Sequence, residues 1–380
     1  MTQKVKLLQL QLNFNVNASD LAEQIIHGLP IDCFEVVSAF LHGRPEVEDS
    51  ESCAPRSIYF DFKKSDLKGL KRFLALWRLY KHCRSAHYDV IISHRFKPIN
   101  MLMLLNHMLN IPICIGVQHR IGDFDRFFRR LETRLLFRSN WRIVGVSRAV
   151  CDYLINCNAG INLQNSVQIN NAIDIDRAER MQLKREESRI KLNLNHNAFI
   201  FGCIGRLVPV KGHIYLIEAF SQIQSDYPNV QVAIIGEGRS RSTLEAAIKI
   251  FGLQERVHLL GARKDALQYV RAFDTFVMPS LSEGLPLALL EGMSGHLPVI
   301  GSNIDSLRPI LEGCGGRIFN VKDVNSLSEK LESLLQQTMQ NLQVEGEQAY
   351  AYLCDEHDIG SFHLQYRNLI EESLSTRRLA

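Results

Sequence analysis

The sequence contains no run of about eighteen apolar residues, the length a helix needs to cross a bilayer, so a spanning helix is not indicated. It has no C-x-x-C pair. Its nine cysteines, at 33, 53, 83, 114, 151, 157, 203, 314 and 354, are odd in number and scattered, which speaks against structural zinc and for reduced thiols in a reducing compartment. The first residues pass straight into a strand-like segment, with no long apolar core and no small-residue cleavage site, so secretion is not expected and the cytoplasm is. A strong excess of one charge is also missing. The net charge of +3 argues against broad nucleic-acid binding and leaves local imbalances to be explained.

What is present is a chain of 380 residues, 46% hydrophobic and 22% charged, long enough for two domains of ordinary size. In the first half, short apolar segments at 4–10, 34–40, 89–93, 113–117 and 142–146 alternate with stretches of helical spacing. Such alternation predicts a parallel sheet with helices on both faces, and ligands that bind beyond the carboxyl ends of the strands. Polar residues that follow these segments are therefore candidates for contact with a ligand: 13–17, His94-Arg95, His119-Arg120 and Ser147-Arg148.

Two basic stretches stand out. Residues 63–84 hold eight Lys or Arg against one Asp, interleaved with Phe73, Leu74, Trp77 and other apolar residues. Residues 126–142 repeat the theme with six arginines. Basic helices with aromatics suit an anionic lipid interface, each cation adding about 1 kcal/mol near the surface. Two in one domain favour a membrane surface or an acidic, phosphate-bearing acceptor, while the alternative is a core-facing helix with one solvated side.

In the second half, a buried strand at 198–204 is followed by Gly205-Arg206-Leu207-Val208-Pro209-Val210-Lys211-Gly212 and a helix beginning near His213. A forked guanidinium and a mobile ammonium between a strand and a helix form a cationic cradle for a diphosphate. The next strand, 230–235, ends in Gly236-Glu237-Gly238, but Arg241 in the place of a third glycine argues against a dinucleotide fingerprint. A strand at 274–278 then runs into residues 279–301. Here Ser280 to Ser282 offer cap hydroxyls, and Glu283 and Glu291 fall eight residues apart, which on one helix puts them on one face roughly 12 Å apart. That separation suits the two ends of an extended polar ligand. The backbone N–H groups of Gly284, Leu285 and Leu287 lie between them, where a helix start favours an anion.

This stretch resembles the E-x7-E signature of the retaining glycosyltransferases of family 4, whose GT-B fold has two facing Rossmann-like domains. The segment from Gly205 to Gly212 resembles the G-R-L-x-x-x-K-G motif of the same family, and Asn170-Asn171-Ala172-Ile173-Asp174 its turn into the second domain. The resemblance implies that Glu283 hydrogen-bonds the donor sugar and that Glu291 holds the ribose hydroxyls of a nucleotide diphosphate sugar. It further implies that Arg206 and Lys211 neutralise the departing diphosphate, and that His119 contacts the sugar near the reacting carbon. Arg263, after the strand at 257–260, is implied to meet the base, with a lean towards uridine. The domains implied are 1–175, acceptor-binding, with a terminal helix from 359 crossing back, and 176–358, nucleotide-sugar-binding. Residues 176–197 read as the connection plus one short helix, and 326–338 and 343–376 as helices, the last broken near Gly360. The sequence departs from the family in carrying residues 11–17 where many members have a Gly-Gly loop, Ala172 for a Gly, and Gly301-Ser302-Asn303 where many have Gly-Gly-x-x-E.

The implied activity is transfer of a hexose-type sugar, from UDP-sugar in the first instance, to a hydroxyl of a glycan or glycolipid in bacterial polysaccharide or lipopolysaccharide biosynthesis. It needs no metal or other cofactor, Arg and Lys supplying the positive charge, and the enzyme is expected in the cytoplasm or peripherally on the inner membrane face. The alternatives are a nucleotide-sugar epimerase of the same fold and a non-catalytic nucleotide-sugar binding protein.

Overall fold

The structure is a computed structural model and describes residues 4–16, 20–47 and 49–378. Asn17 of the first polar loop lies outside the described residues. The chain divides into two compact units, Met1–Asn171 with Ile359–Ala380, and Ala172–Asp358.

The first unit runs β1 (Val5–Asn13), α1 (Leu21–His27), β2 (Phe34–His42), β3 (Arg56–Tyr59), α2 (Lys71–Ala86), β4 (Val90–His94), α3 (Phe96–Leu109), β5 (Ile113–Gln118), α4 (Phe127–Leu136), β6 (Trp141–Gly145), α5 (Arg148–Asn156) and β7 (Ser166–Gln168). All its strands are parallel, in the order β3-β2-β1-β4-β5-β6-β7. The central strands are apolar on both faces, as a sheet covered twice requires: Leu7, Leu8, Ile91, Ile92 and Ile115 are fully buried. Each such side chain stabilises the fold by about 1.5–3 kcal/mol. The short edge strand β3 escapes sequence reading because its four residues show no alternation long enough to count.

The second unit comprises α6 (Ile175–Met181), α7 (Arg185–Leu192), β8 (Phe199–Ile204), α8 (His213–Ile223), β9 (Val230–Ile235), α9 (Arg241–Ile250), β10 (Val257–Leu259), β11 (Thr275–Met278), α10 (Leu287–Met293), β12 (Val299–Ser302), α11 (Arg308–Gly313), β13 (Arg317–Phe319), α12 (Val324–Leu335) and α13 (Met339–Glu356). Its sheet is again wholly parallel, ordered β10-β9-β8-β11-β12-β13. The core under it is built on Phe201, Val232, Ile234, Val277 and Ile300 from the strands, with Leu216 and Phe220 from α8 packed against them. Two Rossmann-like parallel sheets, each with covering helices, are the architecture the alternation predicts. The last helix, α14 (Ile359–Arg378), belongs to the first unit and packs on α1 and β5.

Two expectations are corrected. Residues 176–197 are not a connection with one short helix but carry both α6 and α7. Arg189 of α7 is wholly buried, donates to the carbonyls of Ala272, His196 and Ala198 at 2.8 Å each, and pairs with Asp274 at 2.7 Å. The long terminal helical stretch is broken near Gly360, as expected: the break falls at His357 and Asp358, where Ile173 N–H donates to the His357 carbonyl at 3.1 Å, and α14 starts at Ile359. Finally, Ser280 to Ser282 cap nothing: α10 starts after Pro286, with no side-chain cap, and the Ser280 carbonyl accepts from Ser302 Oγ.

Candidate active site

In a doubly wound sheet the crevice opens where the strand order reverses, at the carboxyl ends of the strands. In the second unit that point lies between β8 and β11, and there the sequence motifs converge. From β8 the chain passes through Gly205 and Arg206 into a 3-10 turn, Pro209–Lys211. Gly212 follows at φ +67°, and a Cβ there would collide with the carbonyl oxygen of Pro279, so only glycine allows the turn to close on the end of β11. Leu281 N–H donates to the Val210 carbonyl at 2.7 Å and ties the two loops together. The consequence is an ion pair between Lys211 Nζ and Glu283 Oε1 at 2.6 Å, with side chains only 16% and 12% exposed. A charge-assisted bond at this length, largely shielded from water, fixes both groups in place before any ligand arrives.

Glu283 and Glu291 do not share a helix. Glu283 stands in the turn ahead of α10, and only Glu291 is helical, so the separation read from helical rise does not apply. The Glu291 carboxyl is pushed up to about 7 by burial. Gly284 and Leu285 are buried in the turn, and Leu287 opens α10. Arg206 is exposed, its backbone carbonyl 3.3 Å from His213 Nε2. Arg263 is exposed after β10, and no hydrogen bond joins it to the pair or to Arg206 among the described residues.

The Gly236-Glu237-Gly238 turn serves packing. A Cβ on Gly236 would strike the Gly205 carbonyl, and Leu207 N–H donates to the Glu237 carbonyl at 2.9 Å, so this turn braces the Arg206 loop.

In the first unit the strand order reverses between β1 and β4. A cavity of about 330 Å³ sits there, lined by Gln11, Asn13, Asn15, Asp20, Arg95 and His119 among others. Where the family's Gly-Gly loop would leave bare backbone, Asn13, Phe14 and Asn15 line the cavity, and the Phe14 ring also meets Phe40 at 5.0 Å and Tyr59 at 5.9 Å. His119 does not stand alone: its Nε2 lies 3.1 Å from Nδ1 of His94, whose ring is buried at the end of β4. One of these nitrogens must carry the proton, so each ring fixes the other's tautomer. Burial holds both neutral, His94 well below the ordinary value and His119 down to about 4, with Arg95 adding to each. Arg95 itself has the left-handed φ of +70°, a strained setting for a side chain of its size. Asp20 caps α1 by accepting from Ala22 N–H at 3.0 Å, and burial raises its carboxyl to about 6.

Asp20 is the cavity residue that sequence reading passes over, while His94 and Gln11 stand out in the sequence only as a strand-end residue and as part of the 11–17 loop. Only the strand order brings them to His119, and their signal is position at or just after a strand end. The Ser147-Arg148 pair, by contrast, is structural: Ser147 caps α5 through Val150 N–H at 3.3 Å, and Arg148 pairs with Asp152 at 3.8 Å on the surface.

Family models match segments in each of the two units. The model for "Glycosyl transferases group 1" matches residues 184–351, and that for "Glycosyltransferase Family 4" residues 21–177. An uncharacterized glycosyltransferase of Methanocaldococcus jannaschii is 34% identical over 143 residues, 37% of this chain and 35% of that protein. The UDP-Gal:alpha-D-GlcNAc-diphosphoundecaprenol alpha-1,3-galactosyltransferase of Escherichia coli is 26% identical over 277 residues, 69% of this chain and 70% of its own length. Among solved structures, sucrose-phosphate synthase from Thermosynechococcus elongatus superposes with a TM-score of 0.82 over 98% of this chain and 100% of that one; at 16% identity this likeness speaks for the fold.

Proposed function

We propose that this chain, which belongs to the group 1 glycosyltransferases of GT-B fold, is a retaining hexosyltransferase that uses a UDP-sugar and extends a glycan or glycolipid in bacterial cell-surface polysaccharide assembly. The observation that carries this reading is the Lys211–Glu283 pair at the strand reversal of the second unit, with Arg206 on the same loop as Lys211 and Glu291 in the helix that follows Glu283. The E. coli relative's use of UDP-Gal supports a uridine nucleotide and a hexose, and its diphosphoundecaprenol substrate supports a lipid-linked acceptor.

In this reading the acceptor oxygen attacks the anomeric carbon from the face the leaving group vacates. The bond from that carbon to the phosphate oxygen breaks, and the acceptor's proton passes to the departing phosphate. Arg206 and Lys211, with the N–H groups at Gly284, Leu285 and Leu287, meet the charge growing on the diphosphate, the electrostatic effect that usually dominates in such sites. No metal or other cofactor enters. Glu283 holds the sugar, Glu291 the ribose and Arg263 the base. His119, neutral near pH 7, contacts the sugar without adding a positive charge next to a carbon that becomes cationic. The acceptor occupies the polar cavity of the first unit, and the enzyme works in the cytoplasm, peripherally on the inner face of the membrane when its acceptor is lipid-linked.

The test is thermal-shift binding against a panel of nucleotides and nucleotide sugars, with Glu291→Ala alongside. Stabilisation by one nucleoside diphosphate and its sugar, lost in the variant, is the expected result. Stabilisation that the variant keeps in full would remove Glu291 from the site, and none with any nucleotide would count against the donor reading.

A further inference from the structure

Helix α2 has two apolar faces where a surface helix ordinarily has one. Ala75, Leu76, Leu79 and Cys83 are buried against the first unit. On the other side Leu70, Phe73, Leu74 and Trp77 are 86%, 68%, 63% and 54% exposed, and their three- and four-residue spacing lines them into a second stripe. Helix α4 shows the same excess: Thr133 alone is buried, while Phe127, Phe128 and Leu135 are 61%, 80% and 72% exposed. The two helices both pack on α3 and are bridged by Arg72 and Glu132 at 3.7 Å, so the exposed residues belong to one side of the unit.

Cations crowd the same place. Lys97, in the first turn of α3, is held below the ordinary lysine value by burial and by the neighbouring charges of Lys68, Arg72 and Arg129. Against these stand Glu132, and Asp123, whose carboxylate is 3.7 Å from Arg129. A positive cluster left in excess beside exposed aromatic rings matches a surface that offers phosphate at one depth and hydrocarbon at the next. Protein interfaces, by contrast, are depleted in lysine.

We propose that α2 and α4 form a docking surface for an anionic lipid bilayer, with Phe73, Trp77 and Phe128 entering the interface and Lys68, Lys97 and Arg72 taking lipid phosphates. No helix among the described residues is long and apolar enough to cross a membrane, so the attachment is peripheral and reversible. The surface lies wholly in the first unit, includes neither Lys211 nor Glu283, and its lipid binding does not depend on the transfer reaction.

The chain's two tryptophans make a direct test: Trp141 is fully buried and Trp77 is half-exposed, so a change in emission on lipid reports Trp77. With vesicles of phosphatidylcholine and phosphatidylglycerol at low salt, the full chain should co-sediment and its emission should shift to the blue. Vesicles of phosphatidylcholine alone should bind at least about tenfold less, as should both the Phe73→Ser/Phe128→Ser and the Lys68→Glu/Lys97→Glu variants with the mixed vesicles. Unchanged thermal unfolding shows that each variant is folded, since the two phenylalanines contribute little to the core. Equal binding to both lipids, full binding by either variant, or sedimentation without a Trp77 shift would overturn the proposal. Absence of vesicle binding would do so too, and would turn the exposed stripe over to a protein partner.

Discussion

Donor binding should depend steeply on pH because of Glu291. Its carboxyl is raised from an ordinary value of 4.5 to about 7 by burial alone. A carboxylate that accepts two ribose hydroxyls must be ionised, so binding has to expel the proton, and affinity rises with pH until the free protein has already lost it. At pH 8 about nine-tenths of the free protein is ready to bind and at pH 6 only about one-tenth, so the dissociation constant should weaken about tenfold between them, or about 1.4 kcal/mol. The ligand should be a nucleotide diphosphate sugar, whose phosphates hold no titrating proton in this range, measured by calorimetry in two buffers of different ionisation heat. Glu291→Gln should bind more weakly and show a flat pH dependence. The free protein should show the opposite sign in stability: a raised carboxyl stabilises fully below pH 4.5, and that contribution, at most about 3 kcal/mol, is lost as the pH rises through 7. An affinity that is level from pH 6 to 8 in the unaltered protein, or one that falls as the pH rises, would refute the assignment of Glu291 to the ribose.

Other expectations follow from the same geometry. Lys211→Ala should lower turnover by about a hundredfold or more, since it removes charge opposite the diphosphate, and Glu283→Gln should also be impaired while still binding the free nucleotide; near-normal rates for either in a coupled nucleotide-release assay would take it out of the site. Because His119 is already neutral above about pH 4, the rate should show no step near 6.5, and a His94→Phe variant, which loses the 3.1 Å partner, should lower kcat more than it raises KM; a step near 6.5 in the unaltered enzyme would contradict the burial of that ring. Asp274→Asn should cost about 3–5 kcal/mol in urea unfolding, because it leaves the wholly buried Arg189 with its charge uncompensated, and a loss below about 1 kcal/mol would show the network to be dispensable.

The Gly205–Gly212 segment and the Glu283–Glu291 spacing were legible because they are local: strand, Gly, Arg, Lys and helix follow one another, and the glutamates sit at fixed offsets. Even there, spacing misled. Eight residues look like two helical turns, but Pro286 delays the start of α10 and leaves Glu283 in the preceding turn, where it meets Lys211, a residue seventy-two positions away. The core strands were readable from their continuous apolar runs, whereas β3 and β13, of four and three residues at sheet edges, carry too little pattern. Arg189 lay in a stretch so polar that it read as a connection; its burial is explained by three carbonyls of the loop that follows α7 together with the Ala272 carbonyl and the Asp274 carboxylate, more than eighty residues away, which no local signal announces. The cavity around His119 was visible only as separate loop residues, because what joins His94 to His119 is the pairing of β4 with β5. The basic stretches were legible in charge, but their second apolar stripe emerges only once it is known which face of α2 is already covered.

The measurement that bears most directly on the central claim is sugar transfer itself: nucleotide diphosphate released from a UDP-hexose, followed with and without a lipid-linked glycan acceptor, with the anomeric configuration of the product read by NMR. We predict release that requires acceptor, an equal amount of new α-linked product, and loss of both in Lys211→Ala. Release at the same rate without acceptor, as an epimerase would give, or a β-linked product from an α-linked donor, would contradict the account.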